Sequence, residues 1–231
     1  MITAGKWNLE ELAELLISER NRRNDILDLL DEVWPEMVTD TNRHRFCEVL
    51  VKIKELPEVI CQKAYIPWFK TCETNLTGFV QSLSKLIVYF PEYACKSFLV
   101  ELLMNKYSLL VKYLDWLTEI MKPLDKKYWR ILLNEYIKGC QTHLEQYKIP
   151  VLVLLVKNCQ KDLDSSDGEK LVTLCKTAAL DHSTNRDFAS FLVFVVGAID
   201  LERFRIEMLS ISQKLKGASK YLVIKALKDV K

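Results

Sequence analysis

The sequence predicts an all-α protein, a right-handed solenoid of antiparallel helix pairs resembling HEAT repeats, with about 12–13 helices. Three observations carry this expectation. Apolar residues recur at helical spacing almost throughout. Six Gly and six Pro in 231 residues are too few for the turns of an all-β sandwich or barrel. From Leu76 onward helix starts recur roughly every eighteen residues, so a helix pair takes roughly thirty-five, the period of antiparallel helix-pair repeats. The chain is read as one repeat domain, 1–231, with N-terminal helices over 1–75 and stacked hairpins over 76–231.

The elements follow in order. Leu9, Leu12, Ala13 and Leu16 step by three and four behind Asn8 as N-cap. Ile26, Leu27, Leu30 and Val33 repeat the step until Trp34-Pro35, because the residue before proline resists the α region. Thr41 opens a helix whose face runs Phe46, Cys47, Leu50, Val51 and ends before Pro57. Further helices are expected at 57–65, 67–74, 76–90, 93–105, 107–121, 124–138, 144–158, 166–180, 185–197, 201–215 and 219–229. Ser166-Asp167-Gly168-Glu169 has capping-box spacing, and Gly139 and Gly217 fall where left-handed C-caps are expected. Val151–Val156 and Phe191–Val196 are β-prone in isolation. Each lies within a longer helical register, and a helix apolar all round suits a layer covered on both sides.

Composition excludes several functional classes. Apolar residues make up 49% and charged residues 28%, which is globular rather than disordered. No run of about eighteen apolar residues exists, so no membrane is expected. The net charge of +2 argues against a protein held mainly by nucleic-acid phosphates. Seven cysteines (47, 61, 72, 95, 140, 159, 175) include no CxxC pair and mostly sit in apolar runs, as buried thiols do in a reducing compartment. The N-terminal residues Trp7-Asn8-Leu9-Glu10-Glu11 offer no apolar signal core, so a nuclear or cytosolic location is expected. Asn75-Leu76-Thr77 matches a glycosylation sequon, but Asn75 or Thr74 serves better there as a helix cap.

Catalytic signatures are missing. His44, His143 and His182 follow no metal-ligand spacing and read as solvated or turn histidines. There is no GxGxxG, P-loop, GxSxG or HExxH, and carboxylates such as Glu10, Glu11 and Glu14 occupy polar helix faces. No enzyme, metal, cofactor or small-molecule substrate is expected.

Two basic clusters stand out, Arg20 to Arg23 and the C-terminal Lys214, Lys216, Lys220, Lys225, Lys228 and Lys231. The plain reading is that lysines near helix C-termini answer the dipole and keep the surface soluble. The functional reading is a patch for an acidic partner or, weakly, nucleic acid. In the last helix Val223, Ala226, Leu227 and Val230 form a stripe expected to face the stack. Tyr221 then points away, flanked by Leu222 and Ile224. A terminal solenoid helix should have a polar outer face, so these apolar residues mark a candidate partner surface.

Several segments are similar to one family. Trp34-Pro35-Glu36-Met37-Val38-Thr39-Asp40 followed by Phe46-Cys47 echoes a Leu-Pro-x-Leu-Ser-Asp segment and Leu-Cys helix. Phe90-Pro91-Glu92-Tyr93-Ala94-Cys95 leading to Leu99 and Leu103 resembles a Tyr-x-x-Pro-Val-Cys helix start. Gly168-Glu169-Lys170-Leu171 with Leu174-Cys175 echoes a Pro-Glu-Lys-Phe helix with its Leu-Cys pair, and Ala226-Leu227-Lys228 corresponds to a final Ala-Leu-Lys helix. In order and spacing, from about Asp25 to the C-terminus, the chain resembles the C-terminal domain of the Fanconi anaemia group E family.

The resemblance implies a non-catalytic nuclear adaptor in DNA interstrand-crosslink repair. Such an adaptor binds the group C protein within the core complex and docks the group D2 protein for monoubiquitination, so that substrate meets ligase at high effective concentration. The family's D2-facing surface includes a Phe-Leu pair at the start of the last helix. The ungapped match places Ala218-Ser219 there, and Tyr221-Leu222 is the nearest aromatic-Leu pair. The expected partner-binding residues are therefore Lys220, Tyr221, Leu222, Ile224 and Lys225. A nucleic-acid binder working through the C-terminal lysines, or a generic HEAT-like scaffold, is the alternative.

Overall fold

In the computed structural model the described residues are 14–15, 18–22, 65–66, 76–104, 114–141 and 143–230. Among them every regular element is helical. Of the helices expected before residue 57 only part of the first is described, with Glu14, Leu15 and Ser18 helical ahead of a 3-10 turn at Arg20–Arg22. The helix expected at 67–74, the family-like segment at 34–47, His44, Cys47, Cys61 and Cys72 lie outside the described residues. The chain divides into two compact units, Met1–Ala94 with Asp115–Leu124, and Cys95–Leu114 with Asp125–Lys231.

In the first unit, α1 (Thr77–Leu86) runs into a 3-10 turn at Ile87–Tyr89. Its N-cap is Leu76, whose side chain makes no capping bond. Phe79, Leu83 and Leu86 recur on one face, and that face is buried. The Tyr65 ring meets Phe79 edge-on at 5.8 Å, and its hydroxyl shares a 2.6 Å hydrogen bond with Ser82 Oγ, which satisfies two buried polar groups together. The helix expected at 93–105 is a single α turn at Pro91–Tyr93, a π-helical stretch at Ala94–Phe98 and α2 (Leu99–Met104). Helix α3 (Asp115–Met121) returns to the first unit and packs on α1 through Trp116, Leu117, Ile120 and Met121.

The second unit contains α2 and six later helices. These are α4 (Lys127–Cys140), α5 (Ile149–Cys159), α6 (Ser165–Ala178), α7 (Arg186–Val196), α8 (Leu201–Lys214) and α9 (Gly217–Asp229). Successive pairs α4–α5, α6–α7 and α8–α9 pack together. Each helix also packs on the next but one: α5 on α7, α7 on α9, α4 on α6 and α6 on α8. Two rows of helices thus enclose the core. Both β-prone segments are helical within the α5–α7–α9 row. Burial explains why, since Val151, Leu152, Leu155 and Val156 of α5 and Phe191, Leu192, Val195 and Val196 of α7 are all covered.

The local signals were right in kind and sometimes displaced. Asn185 caps α7 as its chemistry demands, accepting from the Asp187 and Phe188 amides at 2.8 and 3.1 Å. The capping box of α6 is Asp164 with Asp167, not Ser166 with Glu169. Asp164 Oδ1 accepts from the Asp167 amide at 3.0 Å and Asp167 Oδ2 from the Asp164 amide at 3.2 Å. Gly139 is no C-cap, since it lies inside α4 where a Cβ would collide with the end of Met104. Gly217 does take a left-handed φ of 54°, but as the first residue of α9, because α8 ends instead in the extended Leu215. Gly168 serves close packing: a Cβ there would lie 2.9 Å from the Phe204 ring of α8.

Candidate partner-docking site

The last described hairpin of the helix rows is α8 with α9. Three anchors fix α9. Its Ser219 hydroxyl donates to the Asn185 carbonyl at 3.4 Å, the Lys216 amide donates to the Ser183 carbonyl at 2.8 Å, and Arg205 of α8 donates to the Leu227 carbonyl at 3.2 Å. Val223 and Leu227 are buried, as the stripe requires, and Ala226 is half-buried. Val230 departs from that stripe. It is the C-cap residue, where the backbone turns extended, and it is 37% exposed.

At about 100° per residue, Tyr221, Lys225 and Lys228 share the face away from the core, and Ile224 and Leu222 flank the buried stripe on either side. Tyr221 is 68% exposed, Lys225 and Lys228 are exposed, and Ile224 and Lys220 are half-buried. Leu222, 41% exposed, belongs to the opposite edge of α9 from Ile224. Ala218 and Ser219, the positions aligned with the family's Phe-Leu pair, present no apolar surface, because Ala218 is small and Ser219 is buried.

Helix α8 adds apolar surface that the sequence reading did not single out. Ile206 is 81% exposed and Leu209 41%. Leu209 lies toward the Arg205 side of α8, which faces α9, whereas Ile206 stands on the solvent crest between the Arg205 and Arg203 sides. Arg203 and Lys214 occupy the opposite side, where they reach Glu169 and the Lys176 carbonyl of α6. The available signal was the i, i+3 pair of aliphatics on a face otherwise made of Glu202, Ser210 and Gln213.

A second polar feature joins α4 to α6. Arg130 pairs with Asp164 and, at 2.6 Å, with Asp167. Asn134 donates to Asp167 Oδ1 at 2.8 Å, and Lys170 donates to Asn134 Oδ1 at 2.7 Å. Asp167 is buried, so this network satisfies a charge that would otherwise be destabilising. The hydrogen bond from the Asp167 amide, followed by those from Arg130, holds the Asp164 carboxyl below its ordinary range.

Reactive chemistry is suppressed among the described residues. Cys95, Cys140, Cys159 and Cys175 are buried thiols, in no disulfide among the described residues. Burial pushes the first three thiols up to about 12 and Cys175 higher still, so they are not nucleophilic thiolates at neutral pH. Tyr147 is pushed up to about 12 by burial and by donating to Glu145 at 2.7 Å. His182 bonds the Leu144 carbonyl at 2.6 Å and lies 5.3 Å from the Phe188 ring, a structural role in its turn. An open depression of about 480 Å³ is lined by Glu145, Gln146, Tyr147, Pro150 and Asp187. No group of three or more His, Cys, Asp or Glu residues is placed to hold a metal among the described residues. No described helix is long and apolar enough to cross a membrane.

Comparison with family models, curated proteins and solved structures gives no match.

Proposed function

We propose that this chain is a non-catalytic adaptor of the Fanconi anaemia group E kind, nuclear, binding the group C protein and presenting the group D2 protein for monoubiquitination. The fold it would use is a right-handed solenoid of HEAT-like hairpins. The packing of each helix on the next but one supports that reading, because it is the pattern of stacked hairpins. The order and spacing of the family-like segments supports the choice of partners.

One observation carries the docking role. The last described helix turns Tyr221, Lys225 and Lys228 outward, with the half-buried Ile224 beside them. An aromatic anchor ringed by flexible cations is the composition of a protein-binding surface rather than of a solubilising cap. Binding there would raise the effective concentration of a substrate near a ligase without any chemistry by this chain. The test is affinity capture from nuclear extract with the purified chain. Core-complex subunits should co-purify with it, and Tyr221→Ala with Leu222→Ala should weaken group D2 capture while leaving the circular dichroism spectrum unchanged.

The free lysines favour one alternative, a nucleic-acid contact. Lys216, Lys220, Lys225 and Lys228 have no ion-pair partner among the described residues. Phosphate binding would weaken steeply between low and moderate salt, and a shallow response would count against it.

A further inference from the structure

We infer that α8 and α9 together form a single docking surface whose occupant is an acidic amphipathic helix of a partner protein. The inference rests on the reading of α9 as a docking helix and extends it to a second element and a stated ligand chemistry.

The geometry begins with Arg205. Its bond to the Leu227 carbonyl sets α8 antiparallel to α9, so that moving up one helix corresponds to moving down the other. Leu209, four residues beyond Arg205, then lies within about a turn of the level of Val223 and Ile224. Leu209 borders the α9-facing side of α8 and Ile206 its solvent crest, while Tyr221 points outward from α9 with the half-buried Ile224 at its flank. Leu209, 41% exposed, is thus on the side of α8 nearer α9, and Ile206, 81% exposed, stands on the adjoining solvent crest. Isolated exposed hydrophobics need no explanation, but Ile206, Leu209, Tyr221 and Leu222 are all exposed on one hairpin.

Charge selects the occupant. Between Leu201 and Val230 there are seven lysines or arginines and only three acids, Glu202, Glu207 and Asp229. This hairpin therefore carries +4, although the whole chain carries +2, so the remainder is net negative. Arg203, Arg205 and Lys214 are engaged by Glu169, the Leu227 carbonyl and the Lys176 carbonyl. Lys216, Lys220, Lys225 and Lys228 are left over, on the helix that bears Tyr221. A ligand with carboxylates beside an apolar stripe satisfies both halves of such a surface. A nucleic acid would use the lysines and leave Ile206 and Leu209 in water, and an uncharged apolar helix would leave the lysines unmatched.

The test uses fluorescence anisotropy with three labelled probes and the purified full chain. The first is a synthetic helical peptide of about 18 residues, with leucines at i, i+3, i+4 and i+7 and glutamates between them. The second has the same leucines with lysines between them, and the third is a single-stranded DNA of similar length. The acidic peptide should bind on the order of tenfold more tightly than the lysine peptide, and more tightly than the DNA. Ile206→Ser on α8 and Tyr221→Ala on α9 should each weaken it severalfold, and Lys225→Glu with Lys228→Glu should reverse the preference between peptides. Circular dichroism of each variant should match the parent.

Binding lost with Tyr221→Ala but unchanged with Ile206→Ser would overturn the joint surface and leave the α9 reading standing. Binding unchanged by both would remove that reading as well. Equal affinity for the two peptides, tighter binding of DNA, or no detectable binding of the acidic peptide would each overturn the inference.

Discussion

Arg205 Nη2 of α8 donates to the backbone carbonyl of Leu227 near the end of α9, at 3.2 Å. A helix C-terminus leaves carbonyls without intrahelical partners, and a cation placed there also opposes the helix dipole. One side chain thus fixes the register of the last hairpin and orients the outward face of α9. Arg205→Ala should destabilise the protein by about 1 kcal/mol. Hydrogen exchange should locate the effect, with amides of α9 protected less and those of α5 unchanged.

Asp167 is the one carboxylate buried between α4 and α6, held by Arg130, Asn134 and Lys170. Asp167→Ala removes the buried acceptor while Arg130 keeps Asp164 and Lys170 keeps Asn134, both cations partly solvated, and should cost about 1–2 kcal/mol in denaturant unfolding. Lys170→Ala, whose partner keeps its other donors, should cost much less.

Asp164 carries a pH signature of definite sign. Its carboxyl is depressed in the folded state, chiefly by the Asp167 amide. Such a group stabilises the fold above its unfolded value, near 3.9, and that stability is lost as pH falls through the folded value. Asp164→Asn should therefore lower the melting temperature at pH 7, and the difference from the parent should shrink as pH is taken below about 4.

The four described cysteines should resist alkylation in the native state. Because burial holds Cys95, Cys140 and Cys159 at about 12, raising the pH from 7 to 9 should not expose thiolate. Mass-spectrometric mapping with iodoacetamide should show these sites labelled only after urea is added.

Gly217 should tolerate no side chain, although it has space for one. Nothing lies within 4 Å of its Cβ position, so the strain comes from its φ of 54° alone. Gly217→Ala should cost about 1–2 kcal/mol and loosen the start of α9.

Helix existence was legible wherever a face repeated at helical spacing. Phe188, Leu192 and Val195 identify α7 despite its β-branched run, because the period outweighs intrinsic propensity once a face is buried. Asn185 was legible too, since its short side chain caps without help from elsewhere. The α6 cap was read two residues late because Ser166 and Asp164 both offer capping oxygens. The choice fell to Arg130, a tertiary neighbour that no local pattern contains. Gly139 was misplaced for a similar reason, as its role is set by Met104 on another helix. On α9, periodicity was enough to turn Tyr221 outward and to bury Val223 and Leu227, while Leu222 is exposed and Ile224 half-buried on the two flanks. Ile206 and Leu209 went unnoticed because their meaning depends on which side of α8 receives α9.

The docking role of α9 stands or falls on one binding constant. Isothermal titration of group D2 protein into the purified chain, parent against Tyr221→Ala with Leu222→Ala, measures it directly. A loss of affinity on the order of tenfold, with melting temperature unchanged, is the expected result. Equal affinity in the two titrations would contradict it.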